Sequence, residues 1–124
     1  MKAIAYIRMA SIEQANHFEV GNFPQEKTIK NYCYINDITL LKTFYDIAVS
    51  GLDFQRKGWS EMEQFLKGTK VDQLFVTDYD RIGRNGRLVL TKIAEIEEKH
   101  NTQILALANP RLPSTEEIEK LFKQ

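Results

Sequence analysis

Four short apolar runs constrain this chain more than any other feature. They lie at 2–7, 39–45, 73–77 and 103–108. Each has the length of a strand, and between them apolar residues recur at helical spacing. The span 25–36 predicts a helix with Ile29, Cys33 and Asn36 on one stripe and Tyr32 beside it. The span 58–66 predicts a shorter helix, whose Trp59, Met62, Phe65 and Leu66 fall at i, i+3, i+6 and i+7 and so face a core. The span 86–100 predicts a longer one, with Val89, Ile93 and Ile96 inward and Glu95, Glu97, Glu98 and Lys99 on a solvated face. Strands alternating with helices imply an α/β fold, a three-layer arrangement with a mostly parallel central sheet of about four to five strands flanked by helices. Ligands bind such folds beyond the carboxyl ends of the strands. The segments 8–24, 46–57 and 78–86 therefore become the places to look for function.

After the last strand, Pro110 and Pro113 break the pattern. Ser114-Thr115-Glu116-Glu117 then reads as a capping box, opening a helix with Ile118, Leu121 and Phe122 that reaches Gln124 after about three turns. The division expected is one domain over 1–113 and the start of a cut-off C-terminal helix over 114–124. The apolar run 3–7 ends at Arg8 and is too short for a signal segment, and no stretch is long and apolar enough for a membrane span. With one cysteine there is no internal disulfide, and Cys33 reads as a small core residue in a cytoplasmic protein.

Formal net charge is zero, which argues against attachment to nucleic acid through bulk charge. The arginines are nevertheless unevenly placed. Of Arg8, Arg56, Arg81, Arg84, Arg87 and Arg111, the first five fall in or beside the three segments, whereas lysine is spread along the chain. Arginine grips a phosphate through paired hydrogen bonds; lysine is the commoner solubiliser. Parallel strands bring these arginines to one edge.

The polar residues at that edge are Tyr6, Arg8, Ala10, Ser11 and Gln14; Asp46 through Arg56 and Lys57, with Ser50-Gly51 in a flexible turn; and Asp78 through Asn85. Arg81 and Arg84 point to one side if the chain is helical there, and Asp80 can hold a guanidinium plane. Arginines with an orienting carboxylate predict a site for a charged phosphoryl group, working by positioning and electrostatic stabilisation. Other chemistries lack their residues. His17 and His100 have no HxxxH or CxxC company, and Asp53 and Asp72 have no second acid at metal spacing. There is no GxxxxGK[ST], and Gly83-Arg84-Asn85-Gly86 lacks dinucleotide spacing. No metal and no cofactor are predicted. On these residues alone, a small phosphate- or nucleotide-binding protein is an alternative.

The three segments together resemble the catalytic domain of the serine recombinases, the resolvase and invertase family that also includes the large serine integrases. YIRMASIEQ matches the family's first motif at Tyr6, Arg8, Ser11 and Gln14, with Ala10 on the nucleophilic serine; DIAVSGLDFQRKGW puts Arg56 on a catalytic arginine; DRIGR supplies Asp80, Arg81 and Arg84. The resemblance covers nearly the whole chain and implies a resolvase-catalytic-domain-like fold and site-specific DNA recombination in a mobile element. It implies attack by a serine hydroxyl on a DNA phosphodiester, a 5′-phosphoserine link and a freed 3′-hydroxyl, with no cofactor. Arg8, Arg56, Arg81 and Arg84 would stabilise the five-coordinate phosphorus. Asp80 would fix an arginine or assist proton transfer, and Gln14 and Tyr6 would support the loop. Tyr6, Ser11, Lys57, Asn85 and Arg87 would lie against the DNA. The partners implied are double-stranded DNA, held weakly by this chain alone, and further copies in a dimer or tetramer of a longer protein.

Ala10 departs from the pattern. A methyl group has no lone pair to attack phosphorus. Ser11 is expected to point the other way on an extended segment, and small misplacements cost heavily in rate. The chain as written is therefore expected to be inactive, through either a Ser→Ala substitution or natural silence. The alternative is a non-catalytic DNA-associated or regulatory module of the same fold. The stretch 16–24 is longer than in small resolvases and closer to the integrases.

Overall fold

The strand Lys2–Met9 (β1) is buried continuously from Ala3 onward, as befits a parallel strand covered on both faces. The computed structural model describes residues 1–9, 23–47, 56–83 and 85–108. Ala10, Ser11, Gln14, Arg84, the turn at Ser50-Gly51, His17, Asp53 and the helix expected over 114–124 lie outside the described residues. After β1 come the helix Pro24–Ile35 (α1), the strand Thr39–Ile47 (β2), the helix Lys57–Gly68 (α2) and the strand Gln73–Val76 (β3). A 3-10 turn at Tyr79–Arg81, the helix Gly86–His100 (α3) and the strand Gln103–Ala106 (β4) follow. The four strands form one parallel sheet in the order β2-β1-β3-β4.

Alternation along the strands separates two cores. Ile4 and Tyr6 of β1, with Leu74, Val76, Ile104 and Ala106, meet Trp59, Met62 and Leu66 of α2 and Val89, Ile93 and Ile96 of α3. Ala3, Ala5, Ile7 and Met9, with Phe75, meet Phe23, Ile29 and Cys33 on the α1 side. Helices thus cover both faces of an α/β sheet, as expected. On the edge strand β2 the pairing jumps from Ala3↔Leu40 to Ile4↔Lys42, leaving Leu41 as the bulged residue. That extra residue brings Phe44 opposite Tyr6 on the α2 side while Leu40 faces the α1 side.

Local chemistry explains the ends of the helices. Pro24 sits in the first turn of α1, where its missing N–H costs nothing. At the other end Ile38 N donates to Cys33 O at 2.8 Å and Asp37 N to Tyr34 O at 3.4 Å. Asp37 there is left-handed at φ 55°, which is a Schellman ending without glycine.

Three expectations need correction. β1 and β2 each run two residues beyond the predicted span, so Arg8 and Asp46 are strand residues and register partners rather than loop residues. Both are buried with hydrogen-bond partners, so their charge does not end the strand. Asn36 leaves the buried stripe of α1 and becomes an exposed C-cap. Glu26 takes its place in the interior, because the Tyr45 hydroxyl donates to its Oε2 at 2.5 Å. Glu97 is half-buried rather than solvated, its Oε2 accepting from Ile104 N at 3.3 Å.

Candidate functional site

In a parallel sheet each strand's carboxyl end leads to a helix N-terminus, so the starts of α1, α2 and α3 share one rim with the ends of β1, β2 and β3. Side-chain contacts join these pieces. Arg8, only 2% exposed, donates from Nη2 to Asp80 O at 2.7 Å and from Nε to Arg81 O at 3.2 Å. Arg56, equally buried at the entry to α2, donates from Nη1 to the Tyr6 hydroxyl at 3.1 Å and from Nη2 to Ile82 O. Two buried guanidinium groups therefore hold three successive carbonyls of the turn after β3. Such partners are needed, since a buried charge without them costs several kcal/mol. The grip is returned from Arg81, whose Nη1 donates to Arg8 O at 3.1 Å. Gln25 Nε2, in the first turn of α1, donates to the same oxygen at 3.2 Å.

Below the arginines lies an aromatic floor. The Tyr6 and Trp59 rings meet edge to face with centroids 5.1 Å apart. The Arg56 guanidinium lies 5.8 Å from the centroid of each ring, within cation–π range. Burial pushes the Tyr6 phenol well above the usual tyrosine range. The Arg56 charge works against that rise, and the neighbouring Asp46 adds to it. Asp78 at the rim is also raised, first by desolvation and then by the charge of Asp80, with Arg81 opposing.

The residues singled out in the sequence divide as follows. Arg8, Arg56, Asp80 and Arg81 are brought together. Asp80 pairs with the Arg81 guanidinium, as its residue type suggested, by charge rather than by accepting a hydrogen bond from it. Its backbone carbonyl holds Arg8, while Oδ1 stands 3.9 Å from Arg81 Nε. Tyr6, expected against DNA, is fully buried, because its hydroxyl is taken by Asp46 and Arg56. Lys57 is exposed at the start of α2, with Nζ 4.0 Å from Glu61. Asn85 is the N-cap of α3, its Oδ1 accepting from Leu88 N at 3.2 Å, and Arg87 is exposed in the first turn beyond it. Ala10 directly follows the last residue of β1 in sequence. Among the described residues no group of three or more His, Cys, Asp or Glu side chains is placed to hold a cation.

Two participants were underrated by sequence reasoning. Asp46 is a buried hub: Oδ2 accepts from the Tyr6 hydroxyl at 2.8 Å and from Trp59 N at 3.0 Å, and Oδ1 accepts from Gly58 N at 2.9 Å. Gly58 makes this approach possible, for a Cβ there would meet Tyr45 O at 2.2 Å. A glycine in the first turn of an otherwise amphipathic helix is the signal that could have shown it, since glycine weakens helices and needs a reason to be there. A hollow lined by Lys42, Ser60, Gln64, Phe65 and Thr69 runs along α2 and shares only Lys57 with the arginine rim.

Comparison with known proteins gives this rim its context. The family model described as "Resolvase, N terminal domain" matches residues 3–124. No curated protein sequence matches the chain. Among solved structures, the C-terminal catalytic domain of ISC1926 TnpA, an IS607-like serine recombinase, is similar at 25% identity and a TM-score of 0.73, over 95% of this chain and 75% of that one. The N-terminal catalytic domain of TP901-1 integrase is similar at 20% identity and a TM-score of 0.72, over 86% and 77%. A resolvase family site-specific recombinase from Streptococcus pneumoniae is similar at 19% identity and a TM-score of 0.71, over 98% and 83%. The chain belongs to the resolvase N-terminal domain family, the catalytic-domain family of the serine recombinases.

Proposed function

We propose that this chain is a site-specific recombinase catalytic domain that receives a backbone phosphate of double-stranded DNA at its arginine rim, with Ala10 where the attacking serine belongs. The observation that carries the reading is the convergence of Arg8, Arg56 and Arg81 on one turn at the carboxyl edge, at the end of the strand that leads to position 10. Arg81 is the member of the three with substantial exposure, its side chain 30% accessible, and it is the first contact for an incoming phosphate. Arg8 and Arg56 fix the turn that presents it and add their charge to the field around it. Asp80 steadies Arg81 and stands ready for proton transfer. Lys57, Asn85 and Arg87 flank the strand, and Gln14, Ser11 and Arg84 complete the set by sequence.

In the family's reaction the serine Oγ attacks phosphorus as the bond from phosphorus to O3′ breaks. The proton moves to the leaving oxygen, and a 5′-phosphoserine ester remains until a new 3′-hydroxyl reverses the step. The arginines stabilise the added negative charge on the five-coordinate phosphorus without a cofactor. With Ala10 the bond-making atom is absent, so this chain binds without cleaving. Dimers and tetramers in the cytoplasm would bring two such sites to paired DNA.

The test is Ala10→Ser on a nicked duplex that traps the covalent intermediate. The parent chain is expected to bind weakly and form no adduct, while the variant forms a protein–DNA adduct that Arg81→Ala abolishes. Binding with no adduct in either form supports the second reading, a non-catalytic DNA-associated or regulatory module, which the Ala10 methyl favours for the chain as it stands.

A further inference from the structure

We propose that Asp46 is a positioning residue for Arg56, acting through the Tyr6 hydroxyl. The proposal rests on the reading of Arg56 as part of the phosphate site. It begins with the number of protons. A tyrosine hydroxyl has one proton to give and lone pairs to receive with. Tyr6 gives its proton to Asp46 Oδ2 at 2.8 Å, so toward Arg56 its oxygen can only accept, and Arg56 Nη1 donates to it at 3.1 Å. The direction of the chain is fixed from both ends, by a carboxylate that only accepts and a guanidinium that only donates, and Asp46 keeps the one hydroxyl proton turned away from Arg56. With Nη1 held there, the guanidinium plane is turned so that Nη2 meets Ile82 O. Through Tyr6, Asp46 thus bears on which way Arg56 faces.

The same carboxylate fixes the backbone that carries Arg56. Arg56 is the N-cap residue of α2, with extended dihedrals and no side-chain capping bond of its own. The unsatisfied amides of the first turn, at Gly58 and Trp59, are taken instead by Asp46 from the neighbouring strand. Asp46 therefore sets both the position of the Arg56 backbone and the orientation of its head. Neither role is visible from the spacing of Asp46 and Arg56 along the chain.

The two roles can be separated experimentally. Tyr6→Phe cuts the link between Asp46 and Arg56 and leaves the amides of Gly58 and Trp59 on the carboxylate. Asp46→Asn disturbs both. In a nitrogen-labelled chain, the Arg56 side-chain N–H signal should exchange with water about tenfold faster in Tyr6→Phe, the factor expected for loss of one buried hydrogen bond. The Gly58 and Trp59 amides should keep their protection in that variant and lose it in Asp46→Asn. In the double variant the two effects on the Arg56 signal should combine less than additively, because the route through Tyr6 is lost in either single variant and only the backbone route through Gly58 and Trp59 remains to be lost. An Arg56 signal unchanged in folded Tyr6→Phe, or fully additive effects in the double variant, overturns the proposal. The reading it rests on is tested separately by titrating a short duplex into Arg56→Ala. Unchanged affinity there removes the phosphate role of Arg56, and unchanged Arg56 exchange in Tyr6→Phe removes the positioning role of Asp46.

Discussion

Gly58→Ala isolates the close approach of α2 to the end of β2. A Cβ at this position would lie 2.2 Å from Tyr45 O, 2.7 Å from Tyr45 C and 2.9 Å from Asp46 Oδ2. The first of these is more than about 1 Å inside the van der Waals optimum of roughly 3.5 Å. Two of the three neighbours are backbone atoms of a paired strand, so no rotamer change relieves the clash, and α2 must move outward. That movement stretches the bonds from Gly58 N and Trp59 N to Asp46, now 2.9 and 3.0 Å. Loss of the cap costs about 1–2 kcal/mol, and overpacking costs about 1–3 kcal/mol. The better helix propensity of alanine returns at most about 1 kcal/mol. The net expectation is a destabilisation of about 1–5 kcal/mol, or a fall in the urea midpoint of about 0.5–2.5 M at an unchanged slope of roughly 2 kcal/mol/M. Gly68→Ala at the far end of the same helix is the control: a Cβ there would meet nothing within 4 Å, and alanine should be neutral or stabilising by up to about 1 kcal/mol. Equal midpoints for Gly58→Ala and the parent chain would refute the reasoning, because the close approach would then be neither tight nor needed.

Other outcomes follow from the same contacts. Asn85→Ala should cost about 1 kcal/mol in urea unfolding through loss of the α3 cap. Asn85→Asp should keep that stability but weaken DNA binding, since it retains the acceptor and adds a negative charge at the rim. The Tyr6 phenol has a folded pKa raised above its ordinary value near 10, so the folded state keeps a proton that the unfolded state loses. Its stabilising effect is whole below pH 10 and declines above it, by about 1.4 kcal/mol per pH unit. Alkaline unfolding curves for the parent chain should carry that slope and those for Tyr6→Phe should lack it.

Much of the architecture was legible because burial and period agree. β1 and β3 are continuous apolar runs covered on both faces, and α3 carries Val89, Ile93 and Ile96 on one stripe, so their placement needed no knowledge of neighbours. The strand ends were not legible in the same way. Arg8 and Asp46 look like loop residues until their partners across the sheet are known, and those partners are as far off as Asp80 and Arg81. The arginine segments could be read as one edge from strand order alone. Which arginine is buried could not, because the carbonyls that hold Arg8 and Arg56 belong to a turn whose backbone the side-chain sequence does not describe. Tyr6 was read by its polar end, and its place opposite Trp59 by burial was missed.

The central claim is that the arginine rim holds a DNA phosphate. Mapping amide and arginine signals while a short duplex is added tests it most directly. The account predicts shifts centred on Arg8, Arg56, Lys57, Arg81, Asn85 and Arg87, with Ser11, Gln14 and Arg84 beside them, and a binding constant that falls in Arg81→Ala together with a salt slope smaller by about 1. Shifts centred instead on Met1, Tyr34 and Gly68 at the other end of the sheet, or an affinity indifferent to Arg81→Ala, would contradict it.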